Sequence, residues 1–194
     1  PFVLEAFMDT WAGMEALHEE GLVRHIGTSN MTEAKLRLVL PECRIRPTFN
    51  EMELHPTFSQ EKLRAYLASE DIMAIGFSPL GSPNRPERDT TAEDIADMQH
   101  PVIVEIAQER GVHPATICLQ WAHQHQIIPI PLSTRRRNLE SNFQAIHLDP
   151  LSVEELARLA TVESGNRLIK GQVFLWEGAE SWRDLWDEDG VIKQ

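Results

Sequence analysis

Residues 72–83 read IMAIGFSPLGSP: five apolar or glycine residues, an aromatic ring, then a turn rich in small and polar groups. An apolar run this short, stopped by Ser, Pro and Gly, reads as a strand buried on both faces and closed by a turn. Three other stretches repeat the pattern: HIGTSN at 25–30, FNEMELHP at 49–56 and IIPIPLS at 127–133. Each is followed by a segment with helical spacing. Alternation of this kind predicts parallel βα units whose strand ends deliver side chains to one rim, the place where such folds bind ligands. There are four beats, whereas a closed barrel of this type has eight strands.

The helices between the strands are legible from spacing and punctuation. DTWAGMEALHEE (9–20) places Trp11, Met14 and Leu17 on one face, with Asp9 or Thr10 as N-cap and Gly21 as terminator. LVRHIGTSN (22–30) is the first strand. Thr32 caps EAKLRLVL, whose inner face is Leu36, Val39 and Leu40, and Pro41 stops it. PTFNEMELH is the second strand. Ser59 caps QEKLRAYLASE. PVIVEIAQERG and HPATICLQWAHQH follow with Pro101 and Pro114 in first-turn positions, then RRRNLESNFQAI and SVEELARLATV. The stretch 81–100, GSPNRPERDTTAEDIADMQH, breaks the rhythm and reads as one long loop, a length typical of a lid or binding element. The final 30 residues hold three of the five tryptophans (Trp176, Trp182, Trp186) and show no regular pattern. On this reading residues 1–194 are one partial domain, with βα units over 9–142 and a C-terminal helix and loop over 151–194.

Bulk properties narrow the function. With 18 Lys and Arg against 30 Asp and Glu, the net charge of −12 argues against a nonspecific nucleic-acid surface. Glu177, Glu180, Asp184, Asp187, Glu188 and Asp189 concentrate acid near the C-terminus and read as a solvated face. Two cysteines, Cys43 and Cys118, make no disulfide framework and sit in apolar surroundings, which fits buried, inert thiols and a cytoplasmic setting. No apolar stretch reaches the ~20 residues of a membrane span, and no secretory signal opens the chain. The first residue is not Met, so the chain is expected to be cut from something longer. His123 and His125 flank Gln124 at a helix end, do not share a face, and make no zinc site. No metal site is expected.

The polar residues at the four strand ends carry the chemistry. Ser29 and Asn30 offer hydroxyl and amide groups suited to an uncharged polar ligand such as a carboxamide, or serve simply as a turn or helix cap. Glu51 and Glu53 alternate with Met52 and Leu54 and share a sheet face; Glu51 is either an amide acceptor at the rim or a solvated carboxylate. Phe77 is either a platform for a flat heterocycle or core. Ser133 and Thr134 precede Arg135, Arg136 and Arg137 at a helix start, where free N–H groups, the dipole and guanidinium forks suit a phosphate; the alternative is solvated surface.

Taken in order, GLVRHIGTSN, NEMELHP, FSPLGSPNRP and IPLSTRRRNLESN resemble the C-terminal half of the aldo-keto reductase family, from about Trp11 to Asn142. The resemblance implies half of a TIM-type (β/α)8 barrel, its last four βα units plus a C-terminal loop, in a family that reduces carbonyls with NADPH or NADH. It implies that Ser29, Asn30 and Glu51 (commonly Gln) hold the nicotinamide carboxamide and that Phe77 (commonly Tyr) stacks on the nicotinamide ring. Ser78, Leu80 and Ser82 then contact the pyrophosphate, Ser133 and Thr134 the adenosine 2′-phosphate, and Asn142 the adenine. Leu132 stands where the family has Lys and Asn138 where Arg is common, which weakens NADPH selectivity unless Arg135 to Arg137 compensate. The implied catalytic tetrad of Asp, Tyr, Lys and His belongs to the N-terminal half of the family fold. Tyr66, the one tyrosine, lies within a helix and reads as packing. No catalytic residue is therefore assigned, and the chain is expected to need an N-terminal half-barrel or self-association, because open sheet edges seek partners. A small-molecule carbonyl is the expected substrate of the intact enzyme, with no nucleic-acid or membrane partner. The alternative is a non-catalytic nicotinamide-nucleotide-binding or regulatory module.

Overall fold

The computed structural model describes residues 1–193 apart from 84, 86, 88, 89, 92 and 93. Eleven principal elements occur among the described residues, in the order α1 (Leu4–Glu19), β1 (Gly27–Ser29), α2 (Glu33–Val39), β2 (Phe49–Glu53), α3 (Glu61–Ser69), β3 (Met73–Phe77), α4 (Pro101–Arg110), α5 (Pro114–Gln124), β4 (Ile127–Pro129), α6 (Arg136–Ala145) and α7 (Val153–Ala160). The strands form one sheet in the order β1-β2-β3-β4, with parallel pairing of β1 with β2 and of β3 with β4. This is the α/β class with a parallel four-stranded sheet, as the alternation predicts.

Two compact units divide the chain. One comprises Pro1–Glu51, Lys62–Met73 and the chain from Lys170; the other comprises Met52–Glu61 and Ala74–Ile169.

In the first unit, α1 begins at Leu4, five residues before the Asp9–Thr10 cap that the sequence suggests. Its N-cap is Val3, without a side-chain bond, and Thr10 Oγ1 instead donates to Ala6 O from within the helix. Aromatic packing carries the extension, with Phe7 stacked on Trp11 one turn away. Trp11 and Glu15 form the buried face, while Leu17 is exposed. Glu15 is buried because its carboxylate accepts from the backbone N–H groups of Arg44 (2.8 Å) and Ile45 (2.9 Å) and from Arg44 Nε (2.9 Å). Burial pushes its pKa up, but those N–H donors and the Arg44 charge win and lower it. Thr32 caps α2 as expected, accepting from Lys35 N, and Leu36, Val39 and Leu40 are buried.

In the second unit, Ala74 and Gly76 of β3 are buried whereas Ile75 and Phe77 are half-buried. The strand is therefore not buried on both faces as its composition suggests: Ile75 pairs in register with Ile128 of β4, and Ile128 and Ile130 remain 44% exposed. β4 is cut to three residues because Pro129 and Pro131 cannot donate to a ladder. The helices α4 and α5 start on Pro101 and Pro114, and α4 ends on Gly111 at φ 64°. Helix α7 has a full capping box between Ser152 and Glu155. The 81–100 stretch is not wholly loop, since residues 97–99 form a 3-10 turn. Positions 84, 86, 88, 89, 92 and 93, part of the stretch read as a lid, lie outside the described residues.

Among the described residues no helix is long and apolar enough to cross a membrane. Cys118 is buried but Cys43 is only partly so, which corrects the expectation of two buried thiols. Burial nonetheless pushes the Cys43 thiol up to about 11, with the Glu15 charge adding to it, so it is a poor nucleophile at neutral pH.

Candidate functional site

In the first unit the end of β1 meets the middle of β2. The register sets Ser29 opposite Glu51, and Asn30 N donates to Glu51 O at 2.7 Å. Residues paired in register point to the same side of a sheet, so Ser29 and Glu51 share a face. Ser29 and Asn30 are exposed and Glu51 is half-buried, leaving their polar groups open to a ligand. Asn30 takes a left-handed conformation at φ 56°, which Asn tolerates better than most residues and which turns the chain off the strand.

Asn50 builds this turn and escaped the sequence reading. It is fully buried; its Oδ1 accepts from Thr28 Oγ1 (2.9 Å) and Met31 N (3.3 Å), and its Nδ2 donates to Met31 O (2.9 Å). One side-chain amide therefore closes both ends of the Ser29–Asn30 turn. The signal available was a carboxamide in mid-strand, where Asn is normally depleted. Gly27 matters at the same place: a Cβ there would lie 2.7 Å from Phe49 O, so only glycine lets β1 approach β2 this closely.

In the second unit Phe77 ends β3 half-buried. Ser78 (φ 54°), Gly81 (φ 80°) and Ser82 (φ 40°) then form a tight left-handed turn, in which Gly81 N donates to Ser78 O at 2.9 Å and Ser82 Oγ donates to Ser78 Oγ at 2.5 Å. Leu80 is half-buried beside them. Arg85 extends the group, reaching Ser82 O (3.2 Å) and the buried Asp94 (2.8 Å). Burial pushes Asp94 up, but the Thr91 N–H, Asn166 and Arg85 more than offset it and hold its carboxyl at about 2.

After β4, Ser133 is half-buried and Thr134 exposed, and Ser133 Oγ accepts from Arg135 N at 3.2 Å. Helix α6 starts at Arg136 with Arg135 as N-cap and no side-chain cap, so its first N–H groups are open. The arginine triplet does not act as a unit: Arg136 pairs with Glu140 at 2.7 Å along the helix, while Arg135 and Arg137 stay exposed. Leu132 is 92% exposed. Asn138 is exposed and Asn142 half-buried on α6.

Tyr66 sits in α3, mostly buried, with the Arg37 guanidinium 4.5 Å over its ring, which matches a packing residue. The C-terminal segment carries short 3-10 turns at Gln172–Phe174 and Trp182–Leu185. Trp186 Nε1 donates to Lys170 O at 2.9 Å, while Asp187 is clasped by Thr32 Oγ1 and by Lys35 Nζ at 3.0 Å.

The model of the aldo/keto reductase family matches residues 1–164. This chain belongs to the aldo/keto reductase family. It is 35% identical over 189 residues to an aldo/keto reductase of Synechocystis sp., covering 97% of this chain and 58% of that protein. With aldo-keto reductase family 1 member A1 of Xenopus tropicalis it shares 32% over 166 residues, 86% of this chain and 50% of the relative. With the NADPH-dependent D-xylose reductase of Candida boidinii it shares 35% over 162 residues, 82% and 50%. A crystal structure of an aldo-keto reductase complexed with NADPH superposes with a TM-score of 0.74 at 25% identity, over 84% of this chain and 49% of that one. This aldo/keto reductase chain thus spans between 49% and 58% of the length of these relatives.

Proposed function

We propose that this chain is the cofactor-binding half of an NAD(P)H-dependent carbonyl reductase, corresponding to the last four units of a (β/α)8 barrel. Three groups fit a primary carboxamide: the Ser29 hydroxyl donates or accepts, the Asn30 amide does both, and Glu51 accepts from an NH2. In the second unit Phe77 offers a stacking face for the nicotinamide ring. Ser78, Leu80 and Ser82 line the pyrophosphate. Ser133, Thr134, Arg135 and the open N-terminus of the ten-residue α6 suit a phosphate dianion, with Asn138 and Asn142 further along the helix toward the adenine. The in-register pairing of Ser29 with Glu51 is the observation that carries this reading.

The bound cofactor supplies a hydride; the residues of this chain bind and orient it. The intact enzyme reduces an aldehyde or ketone, sugars included, in the cytoplasm. The proton donor comes from elsewhere, because the one tyrosine packs under Arg37. An N-terminal half-barrel or a second copy of the chain completes the fold.

Titration of the isolated chain with NADPH and with NADH, followed by quenching of tryptophan fluorescence, tests the binding claim. Micromolar binding without turnover of a reactive aldehyde is the expected result. Absence of binding overturns the cofactor assignment, and turnover at the rate of intact reductases overturns the claim that the chain lacks its own acid.

A further inference from the structure

A charged cluster in the second unit is built from side chains that none of the cofactor assignments uses. Glu53 at the end of β2, His55 two residues on, and Asp97 at the start of the 97–99 turn are all fully buried. His55 Nε2 lies 3.0 Å from Glu53 Oε1, and its Nδ1 lies 2.9 Å from Asp97 Oδ2 and 3.0 Å from Thr57 Oγ1. Each carboxylate also holds backbone. Glu53 accepts from the N–H groups of Leu168 (2.7 Å) and Ile169 (3.0 Å), and Asp97 accepts from Thr57 N (2.9 Å). Ser164 closes the same strap, donating from N and Oγ to Thr57 O at 3.1 and 3.0 Å.

Charge balance fixes the state of the imidazole. Arg167, itself buried, lies 3.8 Å from Glu53 with its guanidinium 4.7 Å over the Phe58 ring. Cys118 on α5 lies in the field of Asp97, and burial keeps it a neutral thiol. With His55 neutral, two carboxylates would share one cation in a water-poor interior; with an imidazolium, two anions face two cations. Asp97 also seats the turn after β3: a Cβ on Gly81 would lie 2.2 Å from Asp97 N and 2.5 Å from its Oδ2. Gly81 is the residue between Ser78 and Ser82 whose N–H closes that turn.

We propose that His55 is a positioning residue: as an imidazolium bridging Glu53 and Asp97, it couples the 164–169 strap to the 78–82 turn, so that the two order together and the turn is held ready for a pyrophosphate. The last clause rests on the cofactor assignment above; the coupling of the two segments does not.

Amide hydrogen exchange by NMR on the full chain and on His55→Gln tests it. Glutamine keeps polarity but brings no charge and cannot bridge both carboxylates. At pH 7, protection of Gly81, Leu168 and Ile169 should fall at least about tenfold together in the variant, while Ile130, bonded to Gly76 O, stays within about twofold. A uniform loss at all four amides, or no change at Gly81, overturns the proposal. In the unaltered chain the His55 ring nitrogens should both carry protons at pH 7 by their 15N shifts; a neutral tautomer overturns the proposal even if the variant fails to fold. Addition of NADPH should raise protection at both segments in the wild type and bind the variant about tenfold more weakly; equal binding to both chains overturns the positioning role. If NADPH binds neither chain, the cofactor assignment fails and the coupling is judged on the exchange data alone.

Discussion

Stability of this chain should decline with pH in a window set by His55. Burial works against the imidazolium, but the Asp97 carboxylate and then Glu53 outweigh it and push His55 from 6.5 up to about 9. The folded chain thus keeps a proton that the unfolded chain releases above about 6.5. Where the folded state binds more protons, stability falls as pH rises. The contribution is whole below pH 6.5 and is lost as pH passes through about 9. At about 1.4 kcal/mol per pH unit, the gap between 6.5 and about 9 is worth about 3 kcal/mol. Urea unfolding followed by tryptophan fluorescence at pH 6, 7.5, 9 and 10 measures it, with His55→Gln as the reference in which this titration is missing. Titrating groups that do not touch His55 cancel in the difference between the two chains. That difference should shrink by about 3 kcal/mol from pH 6 to pH 10. A difference independent of pH refutes the reasoning, because it means that His55 is neutral in the folded chain.

Other outcomes follow from the geometry of the two units. Asn50→Ala leaves the Met31 backbone and the Thr28 hydroxyl without their buried partner and should cost about 2 kcal/mol in chemical unfolding, with a fall in NADPH affinity. Gly81→Ala combines a left-handed φ of 80° with a Cβ 2.2 Å from Asp97 N, and should lower stability by at least about 2 kcal/mol. Leu132→Lys places a cation at the site proposed for the 2′-phosphate; since Leu132 is 92% exposed, the unfolding midpoint should not move, while NADPH affinity rises about fivefold and NADH affinity holds.

The sequence disclosed what periodicity and punctuation encode. Thr32, Pro101 and Pro114 each act within one helical turn, and their elements lie close to where those residues place them. The start of α1 was hidden because it has no capping side chain; its first turns are held by Phe7 on Trp11, and its later turns by Glu15 reaching Arg44 and Ile45 some thirty residues on. Ser29, Glu51, Phe77 and Ser78 were visible as candidates because each ends or faces a strand. Asn50 and Asp97 were invisible because their partners lie far along the chain, and no local pattern marks a buried polar group whose partner is 19 or 40 residues away. The arginine triplet shows the converse: a compact motif is split by the helix it precedes, one member turning to Glu140.

The half-exposed face of β3 and β4 has a bearing on behaviour in solution. Ile75 lies in register with Ile128 and Phe77 alternates onto the same face of β3, while Ile130, Leu132, Leu139 and Phe143 are further exposed apolar side chains of this unit. The chain also carries a net charge of −12, and like-charged molecules repel. The two effects respond differently to electrolyte. Added salt shortens the reach of the repulsion to about 10 Å at 0.1 M and about 3 Å at 1 M, and leaves the apolar attraction in place. Solubility of the isolated chain is thus governed by ionic strength: dispersed in dilute buffer, it should self-associate as salt is raised, and light scattering against sodium chloride would trace the onset.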